Sequence, residues 1–149
     1  MSDSVFAPEL SGLEQLRAAF FGKEEFTGIG GTLGMRPVLV EEGRMVFEGV
    51  PDKRVYNPIG TVSGGYAATM LDSAMACAVN SRLAAGQACT TLEFKIAFHR
   101  PMTTQSGPVR AEGVVVSLGR RAAFAEGKLT DKDGKLCASA TSTLIVYPR

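Results

Sequence analysis

The sequence contains one histidine, three cysteines and no tryptophan in 149 residues. A single histidine excludes a metal site built from several histidines, and it leaves little for the histidine-based acid and base chemistry that many enzymes use. The three cysteines, Cys77, Cys89 and Cys137, are odd in number and far apart. This pattern argues against a disulfide framework and against a CxxC metal or redox site, and it favours a reducing cytoplasm as the location.

The net charge is also small, and long apolar runs are few. Sixteen Lys and Arg residues oppose fifteen Asp and Glu residues, so no large field favours nucleic acid or an anionic membrane as a partner. The N-terminal segment MSDSVFAPELSG lacks the basic residues and apolar run of a signal peptide, and we expect no export. Residues 62–79 are nearly long enough to cross a bilayer. Because they are rich in small residues and contain Asp72, we predict a buried helix in a soluble core.

The length fits one compact domain over residues 1–149, in which residues 1–30 form an N-terminal helix and a connection. Apolar residues recur at helical spacing in LSGLEQLRAAFFGK, and Ser11 is available as a cap. The glycines of TGIGGTLG do not fit GxGxxG and follow no strand. We therefore interpret this segment as a flexible connection and not as a nucleotide-binding loop.

Strand patterns surround the long apolar helix. Two strands are predicted in MRPVLVEEGRMVFEGV, with a turn at Glu42-Gly43. After the helix, LEFKIAFH alternates as a half-buried strand does, and its apolar side comprises Leu92, Phe94, Ile96 and Phe98. Three more strands are predicted in PVRAEGVVVSL, AAFAEGKLTD and KLCASATSTLIVY. This order predicts an α+β domain in which an antiparallel sheet wraps one long central helix.

Asp72 is the only charged residue between Arg54 and Arg82, and it lies near the middle of the predicted apolar helix. An ionised carboxylate in such surroundings is costly unless it is paired or hydrogen-bonded. A bond to a neighbouring hydroxyl, or access to solvent, would explain Asp72 structurally. A base or nucleophile in a dry cleft would explain it functionally. Both interpretations stay open on the residues alone.

Ser63 is a weaker candidate for catalysis. It does not occupy a GxSxG nucleophile elbow, because Thr61 stands in place of the first glycine. A serine triad of Ser63, His99 and a carboxylate is therefore a minor alternative.

The segment YNPIGTVSGGYAATMLDSAMACAV closely resembles the signature of PaaI-type hot-dog-fold thioesterases. In that family the segment usually reads N-x-x-G-x-x-H-G-G, followed by a central helix with an Asp near its middle. The matching residues are Asn57, Gly60, Gly64, Gly65 and Asp72. The segments TLEFKIAFHRP and GRRAAFAEG also look like the family. The resemblance implies the hot-dog fold and hydrolysis of an acyl-CoA thioester to a free acid and CoA, without a metal or redox cofactor.

The resemblance also implies roles for single residues. Asp72 corresponds to the family's nucleophile or general base, and the backbone N–H of Gly64 to the group that polarises the thioester carbonyl. Asn57 matches a side chain that orients the attacking water or the carbonyl, and Thr91 aligns with a hydroxyl that contacts the catalytic water. Without the resemblance, Asn57 would be a turn residue and Thr91 an ordinary strand residue.

Substrate contacts are expected from further residues. We predict that the substrate site includes Ser63, Gly65, Tyr66 and Phe94. The segment Gly119, Arg120 and Arg121 resembles the connection that approaches the CoA phosphates, which guanidinium groups suit by charge and geometry. Solvated hairpin arginines are the alternative.

Ser63 departs from the family, which commonly has His at this position before Gly-Gly. Serine keeps the ability to hydrogen-bond but cannot titrate near neutral pH. A non-catalytic acyl-CoA binding module therefore stays open as a second hypothesis. A hot-dog dehydratase or hydratase is a weaker third one, since those enzymes generally pair a His with a carboxylate.

The spacing of Gly64 and Asp72 constrains assembly. Eight residues of helix separate two positions by roughly 12 Å, which is too far for both to act on one carbonyl carbon. A two-fold dimer can bring Asp72 of one subunit near Gly64 of the other. We therefore predict an obligate homodimer, paired again into a dimer of dimers.

Overall fold

The computed structural model describes residues 7–22 and 27–149. Three α-helices lie in these ranges, namely α1 (Gly12–Phe21), α2 (Gly28–Thr32) and α3 (Gly64–Asn80). The strands are β1 (Met35–Glu41), β2 (Arg44–Gly49), β3 (Gln87–Phe98), β4 (Val109–Leu118), β5 (Ala122–Thr130) and β6 (Leu136–Pro148). The predicted order of one helix, two strands, a long helix and four strands is present, with the short helix α2 added between α1 and β1.

The six strands form one antiparallel sheet in the order β1-β2-β4-β5-β6-β3. α3 crosses one face of this sheet and packs against β2, β3, β4, β5 and β6. The predicted α+β arrangement, a sheet around one long helix, is therefore confirmed. In the described ranges no helix is long and apolar enough to cross a membrane.

The core lies between α3 and the sheet. The helix buries eight residues, which are Tyr66, Ala67, Met70, Leu71, Ala74, Met75, Ala78 and Val79. A glycine in β4 lets the helix come close, because a Cβ on Gly113 would lie 2.3 Å from the carbonyl carbon of Ala74. The small residues on this face of α3 thus bring the helix backbone against the sheet.

In the N-terminal part, the structure matches the prediction for the first helix and differs from the prediction for the following glycine-rich segment. Ser11 caps α1 as predicted, and it forms a capping box with Glu14. The prediction of a flexible connection in TGIGGTLG was wrong, because residues 28–32 form the short helix α2. Gly28 and Gly34 adopt positive φ at its two ends, and the hydroxyl of Thr32 donates to the carbonyl of Gly28 at 3.0 Å. These end contacts offset the low helix propensity of glycine.

β3 forms one edge of the sheet. A bulge interrupts its pairing with β6 between Thr91 and Glu93. Phe94 and Ile96 pack against the core, whereas Leu92 is 61% exposed and Phe98 is 57% exposed. The simple alternation predicted for this strand is therefore only half correct. Leu92 is the extra residue of the bulge and leaves the apolar face, whereas Phe98, at the end of the strand, lies beside Gly64 and not in the core.

Candidate active site

The first half of the candidate site is a hydrogen-bonded pair between α3 and β3. The Thr91 hydroxyl donates to Oδ1 of Asp72 at 2.8 Å. Among the described residues, Oδ2 of Asp72 has no hydrogen-bond partner. Thr91 thus fixes the orientation of the carboxylate while one of its oxygens stays available.

Asp72 is half-buried and not enclosed, which differs from the apolar setting expected from the sequence. The face of α3 opposite the core carries small or polar residues, and several of them, such as Thr69, Ser73 and Ala76, are also half-buried. The sheet of the same chain leaves this face partly uncovered. A charged Asp72 is tolerated there because it keeps contact with solvent and accepts the Thr91 bond.

Two cysteines lie near the same carboxylate. Burial raises the pKa of Cys77 to about 12, with smaller contributions from Cys89 and Asp72. Burial also raises the pKa of Cys89 to about 11. Both side chains are therefore neutral thiols at physiological pH, and neither competes with Asp72 as a nucleophile.

The second half of the candidate site is the start of α3. Ser63 is the N-cap residue, and its hydroxyl accepts from the Gly65 N–H at 3.2 Å. Gly64 follows as the first helical residue, and within the described part of the chain its N–H has no acceptor. A free N–H at a helix N-terminus favours developing negative charge. The serine that stands in the family's histidine position thus caps the helix that carries this donor.

A cavity of about 460 Å³ opens beside Gly64. It is lined by residues from the turn before α3, from the first turn of the helix and from the end of β3, including Asn57, Ser63, Gly64, Ala67, Phe98 and Met102. The structure therefore brings Asn57, Ser63 and Gly64 together around one cavity. Phe98 was missed by the sequence analysis, because the alternation in LEFKIAFH gave it no distinct position.

Asn57 uses its side chain within the turn that precedes the helix. Its Oδ1 accepts from the N–H groups of Ile59 and Thr61 at 3.2 and 3.1 Å, and its Nδ2 donates to the Thr61 hydroxyl at 2.9 Å. These bonds close a loop in which Gly60 has φ of 87°. The turn interpretation of Asn57 is confirmed by these contacts, and its role toward water or carbonyl stays a prediction.

The serine triad considered from the sequence is not formed in this structure. His99 Nε2 is hydrogen-bonded to the Ser139 hydroxyl at 2.8 Å. The Ser63 hydroxyl instead serves the Gly65 N–H. No contact joins Ser63 to His99 among the hydrogen bonds of residues 7–22 and 27–149.

Tyr66 and Phe94 lie away from the cavity beside Gly64. Tyr66 is 3% exposed, and burial raises its pKa to about 12, with a smaller contribution from Asp52. Its hydroxyl lies against Gly49 and lines a separate cavity with Val50. Phe94 packs against the hydrophobic core. The structure thus does not bring these two predicted contacts to the Gly64 side of one protomer.

Gly119, Arg120 and Arg121 form the exposed turn between β4 and β5, closed by a bond from the Gly119 N–H to the Ala122 carbonyl at 2.8 Å. Neither arginine side chain belongs to an ion pair within the described ranges. The sheet register places this turn near the start of β3, since Ala122 pairs with Ile145 and Ile145 pairs with Thr90.

The two halves of the site lie far apart in one protomer. Asp72 contacts Thr91, whereas Gly64 lies against Phe98. Thr91 and Phe98 belong to the same strand, and seven residues with one bulge span about 20 Å at a rise of roughly 3.3 Å per residue. One chain therefore cannot assemble the carboxylate and the free N–H around one substrate carbonyl.

Comparisons with known proteins identify a family and several similar structures. Residues 59–138, more than half of the chain, match the family model described as the Thioesterase superfamily. A putative thioesterase from Ralstonia eutropha JMP134, a phenylacetic acid degradation-related protein, is 31% identical with a TM-score of 0.78. That similarity covers 87% of this chain and 98% of the other.

Two further solved structures are similar. A thioesterase family protein from Silicibacter pomeroyi is 25% identical over 93% of this chain and 98% of that chain, with a TM-score of 0.78. The E. coli PaaI protein from the phenylacetic acid degradation operon is 21% identical over 91% of this chain and 94% of that chain, with a TM-score of 0.76. No match was found among curated proteins.

Proposed function

This chain belongs to the thioesterase superfamily, and from that premise we propose that it is a PaaI-like acyl-CoA thioesterase in which two protomers build each active site. One protomer supplies the Gly64 N–H and the other supplies Asp72. The observation that carries this proposal is the Asp72–Thr91 hydrogen bond, which leaves one carboxylate oxygen free on a half-exposed helix face.

The proposed chemistry follows from these two groups. The Gly64 N–H and the N-terminal end of α3 stabilise the negative charge that develops on the thioester oxygen. The free oxygen of Asp72 either attacks the carbonyl carbon or takes a proton from an attacking water. In the first route the C–S bond breaks to release CoA as the thiolate and to leave an acyl anhydride on Asp72, which a water molecule hydrolyses to the free acid and the regenerated carboxylate. In the second route the water oxygen bonds to the carbonyl carbon, the C–S bond breaks to release CoA as the thiolate, and the proton taken by Asp72 passes to the thiolate or to solvent. Both routes use the same carboxylate.

Pairing of β3 across a two-fold axis would assemble this site. The outer edge of β3 has no strand partner in the described part of the chain, and free edges are templates for pairing. In an antiparallel pair centred between Phe94 and Lys95, Phe98 faces Thr91 of the partner subunit. That register brings the Gly64 side of one protomer to the Asp72 side of the other. A further pairing into a dimer of dimers is also part of the proposal.

The same dimer would bring the turn at residues 119–121 close to the shared active site. The turn at residues 119–121 lies near the start of β3, which in this register is beside the Gly64 end of the other protomer. Arg120 and Arg121 are exposed there. We assign them to the CoA phosphates, which match guanidinium groups in charge and geometry.

Thiol release from a panel of short, medium, long and aryl acyl-CoAs tests the function. We expect the Asp72→Asn variant to lose turnover by a factor of about 10² or more, because the amide is neither a base nor a nucleophile. Asp133→Asn, at an exposed hairpin turn, is the matched control. Equal turnover in wild type and Asp72→Asn would refute the role of this carboxylate.

A non-catalytic acyl-CoA binding module is the second candidate. It is favoured by Ser63, whose hydroxyl is occupied by the helix cap and replaces the family's usual imidazole. Calorimetric binding of the same esters, without thiol release from any of them, would support this candidate over hydrolysis.

A further inference from the structure

Phe98 occupies the space above Gly64 that a side chain would need. A Cβ built on Gly64 would lie 2.8 Å from Cζ of Phe98 and 3.2 Å from its Cε1. The tip of the ring therefore points at the first residue of α3. The ring keeps this position only because Gly64 lacks a side chain, and any larger residue there would require the ring to shift.

The ring is not a core residue. Phe98 is 57% exposed and lies at the end of the edge strand, whereas Phe94 and Ile96 of the same strand pack against the core. It also lines the cavity of about 460 Å³ together with Gly64 and Ala67. A large apolar side chain that is half in solvent and half in a cavity wall is placed to contact a ligand.

The Phe98 ring lies close to where the thioester carbonyl would bind. A carbonyl oxygen bound to the Gly64 N–H lies about 2.9 Å from the nitrogen, which puts the carbonyl carbon about 4 Å away given a C=O bond of about 1.2 Å. The groups attached to that carbon then lie within contact distance of a ring that touches Gly64.

We propose that Phe98 is a specificity-determining residue that contacts the acyl carbon next to the thioester carbonyl and restricts branching there. This inference rests on the proposed function of Gly64 as the carbonyl donor. It predicts a preference for acyl groups that are unbranched at that carbon.

The test compares butyryl-CoA with isobutyryl-CoA, which have the same atoms but differ in branching beside the carbonyl. We expect the ratio of kcat/KM for isobutyryl-CoA over butyryl-CoA to rise about tenfold or more in Phe98→Leu and further in Phe98→Ala, because each removes part of the wall. Phe124→Leu is the matched control, since Phe124 is 46% exposed and lies in β5, outside the cavity lining. Circular dichroism and thermal unfolding verify that each variant is folded.

The outcomes separate this inference from the proposed function. An unchanged ratio in folded Phe98→Leu, with both esters hydrolysed by the wild type, overturns the role of Phe98 and leaves the thioesterase intact. If the wild type hydrolyses no ester of the short, medium, long and aryl panel, the proposed function fails, whereas inactivity toward these two esters alone shows only a preference for other acyl groups. The inference is then tested by calorimetry as the ratio of Kd values for the two intact esters. A Kd ratio that is equal in wild type and Phe98→Leu would overturn it.

Discussion

At the scale of single residues, Ser63 stabilises the start of α3. Its hydroxyl accepts from the Gly65 N–H and caps α3, the helix that presents Gly64. Loss of an N-cap costs about 1 kcal/mol. We expect Ser63→Ala to lower the free energy of unfolding by about that amount in urea titrations, while Ser63→Asn, which can also cap, retains most of it. Equal stability of the alanine variant and the wild type would contradict the capping role.

The contact between Gly64 and Phe98 predicts how substitutions at these two positions combine. Gly64→Ala places a methyl group 2.8 Å from the tip of the Phe98 ring. Because this ring is 57% exposed and can shift, we expect a loss near the lower end of the about 1–3 kcal/mol that overpacking costs. Phe98→Leu in the same chain should recover much of that loss, since it removes the colliding atom. Urea unfolding of both single variants and the double variant measures the coupling. Strictly additive losses would show that the ring does not require the glycine.

At the scale of secondary-structure elements, β1, β2 and β4 are joined by one carboxylate. The side chain of Glu48 is 5% exposed and bonds Arg36 from β1 and Arg110 from β4. Burial alone would raise the pKa of Glu48, but hydrogen bonds from Arg110 and Arg36 outweigh burial and lower it. A lowered pKa stabilises the fold above the unfolded value, and this contribution is lost as pH falls through the folded pKa.

This ion-paired group predicts a pH dependence. Glu48→Gln should destabilise the protein at pH 7, by about 1–3 kcal/mol. The difference from wild type should shrink as pH falls below the ordinary pKa of 4.5, where Glu48 of the unfolded chain takes up a proton, and should vanish once pH falls below the lowered pKa of the folded state. Urea unfolding at pH 7 and at more acidic pH provides the measurement. A difference that stays constant across this range would contradict the linkage.

The element scale also shows what the sequence could predict. The capping box at Ser11, the turn at Glu42-Gly43 and the period of the strands are local signals, and the elements that they predict are present. The bulge at Leu92 depends on pairing with β6, and α2 depends on contacts at its ends. Strand pairing is a tertiary contact, which a single sequence does not display, and the contacts at the ends of α2 are local but lie in a glycine-rich segment of low helix propensity.

Some residues of the candidate site could also be predicted from the sequence, and others could not. The carboxylate of Asp72, the helix start at Gly64 and the Thr91 hydroxyl lie in a recognisable pattern along the chain. Tyr66 was expected in the site, but it faces the core because it lies on the opposite side of α3 from the half-exposed strip. Phe98 was missed because its importance comes from contact with Gly64, which is distant in sequence.

At the scale of the whole molecule, an active site shared between Gly64 and Asp72 of two protomers requires a dimer through β3. Leu92 and Val116 are both 61% exposed, but only Leu92 belongs to the edge strand. Leu92→Lys should weaken the dimer and reduce thiol release in parallel, because a charge at an edge opposes strand pairing. Val116→Lys on β4 is the matched control and should keep the dimer. Size-exclusion chromatography with light scattering measures the mass, and an unchanged dimer in Leu92→Lys would contradict pairing at this edge.

The most direct test of the shared site is a mixed dimer of two inactive protomers. One carries Asp72→Asn, and the other carries Gly64→Pro, which removes the N–H at the first helical position, where proline fits the helix. Gly64→Ala, which adds the same Cβ beside Phe98 but keeps the N–H, is the matched control. Co-expression with two different tags isolates the mixed species, whose thiol release is compared with that of each parent. A site built across the interface predicts that one of two sites is restored, giving about half of the wild-type turnover per dimer. No activity in a folded mixed dimer would show that Gly64 and Asp72 act within one chain and would contradict the account.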